Sequence, residues 1–201
     1  LGGARPDSLE RAPPYAQMRC LSRGADLCFV DSPVVVAAAG SSGGAEEPSL
    51  CVWDALLPPG RSVVASCAAH PEGGVCVAHL PSEGVLLSGG AGGEVVVFDL
   101  RQRRLRHRWS AHALGVRTLA CGDGGSCFTA SADGDLKLWD ISRPGTPLAH
   151  WPRVHEPHTA SPLFHPVGTS IGRTYGVNCM IEEGGRLITG GADGRLLCHC
   201  F

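Results

Sequence analysis

Three groups of residues in this chain have types and spacings that could do chemistry. His112, Thr129 and Asp133 supply an imidazole, a hydroxyl and a carboxylate, the side-chain set a hydrolytic relay employs. Cys198-His199-Cys200 offers two thiols and an imidazole to a soft metal. Arg101 to Arg108 (RQRRLRHR) is the densest positive run, able in principle to meet carboxylates or anionic headgroups. Which of these reactivities is real depends on the elements that position them.

The metal reading fails first on geometry. Successive strand side chains point to opposite faces, so Cys198 and Cys200 share one face and His199 takes the other. No Cys-x-x-Cys pair brings in further ligands, so no metal site and no cofactor is expected. The ten cysteines are otherwise scattered singly through apolar runs and read as reduced core thiols of a cytosolic protein.

The stretch Cys127 to Asp140 (CFTASADGDLKLWD) sets the local structure. Two alternating apolar runs flank Asp133-Gly134, and a glycine there accepts the positive φ of a tight hairpin turn. Looser copies recur along the chain. Strands are expected at Asp26 to Val30, Val34 to Ala39, Leu50 to Trp53 and Ser62 to Ser66. A second pass covers Gly74 to His79, Val85 to Ser88, Glu94 to Phe98 and Arg104 to Trp109. A third covers Val116 to Ala120, Cys127 to Ala130, Leu136 to Trp139 and Leu148 to Trp151. The fourth, Gly176 to Ile181, Arg186 to Thr189 and Leu196 to Cys200, lacks a closing strand. The third-strand markers Trp53, Phe98, Trp139 and His199 stand 45, 41 and 60 residues apart. Four short strands per unit at a period of about 40 to 45 residues is the pattern of a β-propeller blade, which must stack on neighbours to bury both faces. The expected organisation is all-β: a leading loop over 1–25, then blades over about 26–67, 68–110, 111–152 and 153–201.

Composition narrows the partners. A net charge of −2 gives no field for nucleic acid or an anionic membrane, and the longest apolar run, Pro33 to Ala39, is far too short to span a bilayer. Because the His-Thr-Asp set recurs at blade spacing, its structural reading outweighs the catalytic one, and no enzyme activity is expected.

With the hairpin and the period in hand, the chain resembles the WD-repeat family. Carried onto this sequence, that family's hydrogen-bonded tetrad falls on His112, Thr129, Asp133 and Trp139, with Asp133 holding the imidazole and the Trp139 indole donating to Thr129. The second pass offers His70 and Ser88 but has Gly92 and Phe98 where Asp and Trp are expected. The fourth offers Thr189, Asp193 and His158, with His199 in the Trp place. The resemblance therefore implies one well-locked blade beside looser ones, and further blades upstream completing a ring of about seven, with a compact four-bladed ring as the second option.

The order of LCVWDALL, LLSGGAGGEVVVFDLRQRRL, FTASADGDLKLWDIS and LITGGADGRL, together with SPLFHPVG at Ser161 to Gly168, is similar to the C-terminal propeller of the DmX-like proteins, or rabconnectins. That resemblance implies a cytoplasmic scaffold held on vesicle or endosomal membranes through partners. Those partners are V-type proton ATPase V1 subunits, a second WD-repeat subunit and Rab regulators. The alternative is a substrate-presenting WD-repeat receptor of a ubiquitin ligase. Two surfaces compete for partner contact: Arg104, Arg106 and Arg108, expected on one face of an outer strand, and the long connection from His155 to Tyr175, with Leu163 and Phe164.

Overall fold

Runs such as GVCVAHL, VLLSGG and EVVVFD are apolar on both faces, so a sheet built from them is stable only between two other layers. The computed structural model describes residues 21, 23–41, 44, 46–155 and 176–200 and shows how this is met. Strands β1 (Arg23–Val30), β2 (Ser32–Ser41), β3 (Leu50–Asp54) and β4 (Val63–Cys67) form one antiparallel sheet in sequence order. A second contains β5 (Gly74–Leu80), β6 (Val85–Gly90), β7 (Glu94–Asp99) and β8 (Arg104–Ser110). A third contains β9 (Val116–Cys121), β10 (Ser126–Ser131), β11 (Leu136–Asp140) and β12 (Ala149–Trp151). The fourth, among the described residues, has three strands: β13 (Val177–Glu183), β14 (Arg186–Gly191) and β15 (Leu196–Cys200). No α-helix occurs among the described residues.

The first strands of successive sheets abut, β1 on β5, β5 on β9 and β9 on β13, so they lie at the hub and the fourth strands at the rim. Asp26 Oδ2 on β1 accepts the Val77 N–H of β5 at 3.0 Å, tying two blades at that hub. Between blades one and two sit Ala37, Leu50, Val52, Leu86, Val96 and Phe98. Val95, Val97, Trp109, Val116, Cys127 and Trp139 fill the next gap, and Phe128, Leu136, Val177 and Leu187 the third. Burial along a strand records its place in the series. In blade two β6 is buried throughout, whereas β15, at the end, alternates exposed and half-buried residues.

The turns repeat as the strands do. Gly134 (φ 88°) and Gly93 (φ 86°) occupy equivalent hairpin positions in left-handed backbone, and a Cβ on either would run into a carbonyl of the incoming strand connection, His155 O or His112 O. In three blades the same bond closes this end: Ala91, Ala132 and Ala192 donate N–H to Gly73, Gly115 and Gly176 at 2.9, 3.2 and 3.0 Å.

Three expectations need correction. β1 begins at Arg23, so the last residues of the expected leading loop belong to a strand, because they pair with the long end of β2 (Arg23 with Ser41, Gly24 with Gly40). Among the described residues eight cysteines are free, but Cys51 is disulfide-bonded, against the reading of reduced thiols throughout. The strict two-face alternation of the arginine strand fails at a β-bulge. Val97 pairs with His107 but Phe98 pairs with Leu105, leaving Arg106 as the extra residue and switching side-chain parity there.

Phe98 is 1% exposed and packs between two sheets. Phe98→Ala is expected to cost about 3–5 kcal/mol, through lost transfer energy and the cavity left behind. Urea titration of the chain would show this as a lowered midpoint at unchanged slope.

Candidate functional site

The polar side chains that could do chemistry converge at three blade junctions, each built the same way. A histidine from the loop entering the blade is buried against a hydroxyl on the second strand, near a carboxylate from the following turn.

In blade three, Trp139 Nε1–H donates to Thr129 Oγ1 at 2.8 Å, and Thr129 Oγ1 lies 2.8 Å from His112 Nε2. The indole can only donate, so the hydroxyl proton is left for His112 Nε2, and the imidazole hydrogen is placed on Nδ1. That Nδ1 stands 3.9 Å from Asp133 Oδ1, too far for a hydrogen bond, and no other described group reaches it. Asp133 Oδ1 instead accepts the Asp135 N–H at 2.9 Å. The structure thus brings His112, Thr129 and Trp139 together and leaves the Asp133 link open. Burial, then the Lys137 ammonium, push His112 down to about 4 against the pull of Asp133 and Asp135.

Blade two departs from the sequence reading. Its carboxylate is Glu94, the first residue of β7, whose Oε1 is 2.6 Å from His70 Nδ1. His70 Nε2 is 2.9 Å from Ser88 Oγ, and Ser88 donates to the Cys76 carbonyl at 3.0 Å. Gly90 and Gly92 are the space into which Glu94 reaches: a Cβ on Gly90 would collide with both Glu94 Oε1 and His70 Nδ1. The hydrogen bond with His70 holds the Glu94 carboxyl below its usual range against the opposing effect of burial. Sequence reasoning stopped at Gly92, yet an acid two residues on, beside a run of glycines, was the available signal.

Blade four is closed by His155, not His158, which lies outside the described residues. His155 Nδ1 is 2.9 Å from Asp193 Oδ1 and its Nε2 is 2.8 Å from Thr189 Oγ1. His199, in the tryptophan place, comes within 3.2 Å of the same hydroxyl through Nε2. It can therefore give the N–H that an indole gives elsewhere. Burial, then His155, lower the His199 pKa. One locked blade beside looser ones is thus not what forms: the His–carboxylate contacts of blades two and four are shorter than that of blade three. Blade one lacks the network because Ala38 sits where Thr129 does in blade three, and the Trp53 indole N–H is buried without an acceptor among the described residues.

A hydrolytic reading finds no support in this arrangement. Each hydroxyl is itself buried and hydrogen-bonded within its junction, with Thr129, Thr189 and Ser88 all 0% exposed. Two strings do spell Gly-x-Ser-x-Gly, at 40–44 and 168–172. The first joins antiparallel β2 and β3 rather than leading from a strand into a helix, the context a nucleophile elbow requires. The second lies outside the described residues. No cluster of potential metal ligands occurs among the described residues.

The arginine strand is the exposed candidate. Arg104 Nε donates to Gln102 Oε1 at 2.6 Å, Arg106 lies 3.8 Å from Glu83, and Arg108 donates to the Ala69 carbonyl at 2.5 Å. The bulge sends Arg108 toward blade one, whereas Arg106 lines a cleft of about 200 Å³ against blade three with Glu83, Asp140 and Ile141. Leu163 and Phe164 lie outside the described residues.

Comparison with known proteins agrees with this architecture. The family model "WD domain, G-beta repeat" matches residues 60–99 and 103–140. The chain is 32% identical over 187 residues to DmX-like protein 1 of Mus musculus and of Homo sapiens, covering 91% of this chain and 6% of each relative. It is 31% identical over 101 residues to F-box/WD repeat-containing protein sel-10 of Caenorhabditis elegans, covering 50% of this chain and 17% of that protein. Among solved structures, the computationally designed Ika8 protein superposes with TM-score 0.64 at 18% identity over 89% of this chain and 46% of its own. Ika4, also designed, superposes with TM-score 0.63 at 17% identity over 92% of this chain and 99% of its own.

His112 is charged more readily in the unfolded chain, ordinary value 6.5, than in the fold, about 4, so the unfolded state binds the extra proton between those values. Stability is therefore expected to fall as pH drops from 6.5 toward 4, with a slope contribution of up to about 1.4 kcal/mol per pH unit. His112→Gln should flatten the dependence of the urea midpoint on pH in that window. Thr129→Val, which strips the shared hydroxyl from two buried partners, should cost about 1–3 kcal/mol at neutral pH.

From the repeated His–hydroxyl junctions, the four stacked sheets and the matched repeats, the chain is a WD-repeat β-propeller protein, similar over most of its length to DmX-like protein 1.

Proposed function

We propose that the chain serves as a non-catalytic protein-interaction scaffold of the DmX-like kind, acting in V-type proton ATPase assembly and vesicle acidification. The observation that carries this reading is the 32% identity to DmX-like protein 1 across 91% of the chain. The site chemistry is consistent with it: the titratable clusters are used up in joining blades, leaving loops and rim strands as the means of action. In this reading the partners are V1 subunits, a second WD-repeat subunit and Rab regulators, and the protein is cytoplasmic, peripheral on vesicle or endosomal membranes through those partners. The β8 rim, with Arg104 and Arg106 exposed, is the proposed contact for an acidic partner surface, and Leu163 and Phe164 a second contact.

A second reading is a substrate-presenting receptor of a ubiquitin ligase. It draws on the 31% match to the F-box/WD repeat-containing protein and on 36% identity over 89 residues to DDB1- and CUL4-associated factor 13 of Xenopus tropicalis, which covers 42% of this chain. The narrower coverage places it behind the first.

Affinity purification of the full-length protein from cell lysate, with mass spectrometry of what is retained, separates the two. Co-purification of V1 subunits with a second large WD-repeat protein is expected, weakened by Arg104→Glu with Arg106→Glu. Recovery of ubiquitin-ligase adaptors in their place would replace the first reading by the second.

A further inference from the structure

One strand pair in blade three sets two free thiols against each other. Cys121 ends β9, Cys127 is the second residue of β10, and the two are direct partners across the antiparallel ladder. Among the described residues, no other free cysteine stands opposite a second cysteine in a strand pair.

The ladder fixes the kind of pair this is. Gly122 donates its N–H to the Ser126 carbonyl at 3.0 Å, so Gly122 and Ser126 face each other as a hydrogen-bonded pair. Their neighbours Cys121 and Cys127 are therefore a non-hydrogen-bonded pair, the kind whose Cα atoms approach to about 4.5 Å. The other edge of β10 agrees. Ser131 donates to the Asp135 carbonyl at 3.2 Å, in the same register that pairs Cys127 with Trp139, so the backbone groups of Cys127 point to β11. A disulfide spans Cα separations of roughly 4.4–6.8 Å, so the bond can form here with little backbone movement.

Packing permits it as well. Both side chains lie on the face turned toward blade two, Cys127 among Val97, Trp109 and Trp139, with Cys121 packed against that cluster. Joining the sulfurs removes two hydrogens and adds no bulk, so the core is not overpacked. Access is unequal: Cys127 is 1% exposed and Cys121 half-buried, so a reagent from solvent meets Cys121 first.

We propose that Cys121 and Cys127 form a thiol–disulfide exchange site for a low-molecular-weight disulfide. Cys121 gives up its proton and its Sγ attacks one sulfur of the reagent, breaking the reagent's S–S bond and expelling one thiolate. Cys127 then gives up its proton and attacks Cys121 Sγ in the mixed disulfide, expelling the second thiolate. The reagent takes two electrons and the two protons and leaves as two thiols, while the protein is oxidised to one disulfide tying β9 to β10. Burial, then Cys28, push the Cys121 thiol up to about 12, and burial, then Cys121 and Asp140, push Cys127 higher still. Exchange is therefore slow at neutral pH and quickens as pH rises. The inference is independent of which proteins the scaffold holds.

Both cysteines fall in one tryptic peptide, residues 118–137, so peptide mapping tests the proposal directly. The full-length protein is reduced, held folded in oxidised glutathione at mildly alkaline pH, then denatured in N-ethylmaleimide, digested and read by mass spectrometry. The expected peptide is two hydrogens lighter than its dithiol form and unlabelled, and takes up label after reduction. Cys127→Ser removes the second attack, so at least about tenfold more glutathione should remain on Cys121 than in the wild type. Label on both wild-type cysteines overturns the proposal. So does glutathione retained on Cys121 of the wild type, which shows that Cys127 does not resolve the mixed disulfide. A bond from Cys121 to Cys28 assigns the exchange to a different pair and refutes it too.

Discussion

Everything in this structure depends on the two-sidedness of its sheets. A strand such as VLLSGG, buried at every position, cannot belong to a sheet with one wet face, so each sheet has to be sandwiched and the units have to stack. Stacking by apolar contact alone would leave the angle and registry of neighbouring blades loosely specified, since sheet faces of Val, Leu and Ala slide at little cost. The His–hydroxyl contact removes that freedom. Its imidazole comes from the loop entering the blade, its hydroxyl from the second strand and its indole from the third, so one buried oxygen fixes three segments of chain at once.

The logic of that oxygen explains why its surroundings vary. A hydroxyl can donate once: in blade three the directional chain from indole to hydroxyl to imidazole uses that donation on the histidine, whereas in blade two Ser88 gives it to the Cys76 carbonyl and accepts from His70 Nε2. Any N–H of suitable reach can replace the indole, which is why His199 serves in blade four. Any carboxylate within reach of Nδ1 can complete the other end, and Glu94, longer than Asp by one methylene, does so from a strand position because Gly90 and Gly92 leave room. Blade three, with the residues closest to the repeat pattern, instead leaves its carboxylate 3.9 Å from the imidazole, although Asp193 of blade four makes the same turn bond as Asp133 and still reaches His155. Sequence regularity and hydrogen-bond completeness are therefore separate properties.

This separation sets what was legible beforehand. Strand positions and the blade period could be read because they rest on local patterns: alternation, Asp-Gly and Gly turns, and recurrent aromatic markers. The hydroxyls Thr129, Ser88 and Thr189 were legible for the same reason, being fixed relative to those markers. What escaped was set by three-dimensional reach. Glu94 was passed over because a motif counts positions whereas a side chain spans distance. His155 was passed over for His158 because the unequal connection before blade four breaks the count. The bulge at Arg106 was invisible because RLRHR, from Arg104 to Arg108, alternates perfectly on paper, and only pairing with Phe98 shows that one residue is extra.

The same physics bears on where function can reside. The hydroxyls Ser88, Thr129 and Thr189 are bound in place at 0% exposure, each between partners it needs for the fold, so releasing one for reaction would unlock a blade junction. The surface keeps groups of a different character: arginines that make single, extendable contacts to Gln102, Glu83 and the Ala69 carbonyl, each retaining further N–H donors in its planar fork. A rigid stack that buries these hydroxyls and leaves multidentate donors on its rim is suited to holding other proteins. The cost of reorganising such a rim on binding is small, because the strand beneath it is already fixed by the apolar sandwich.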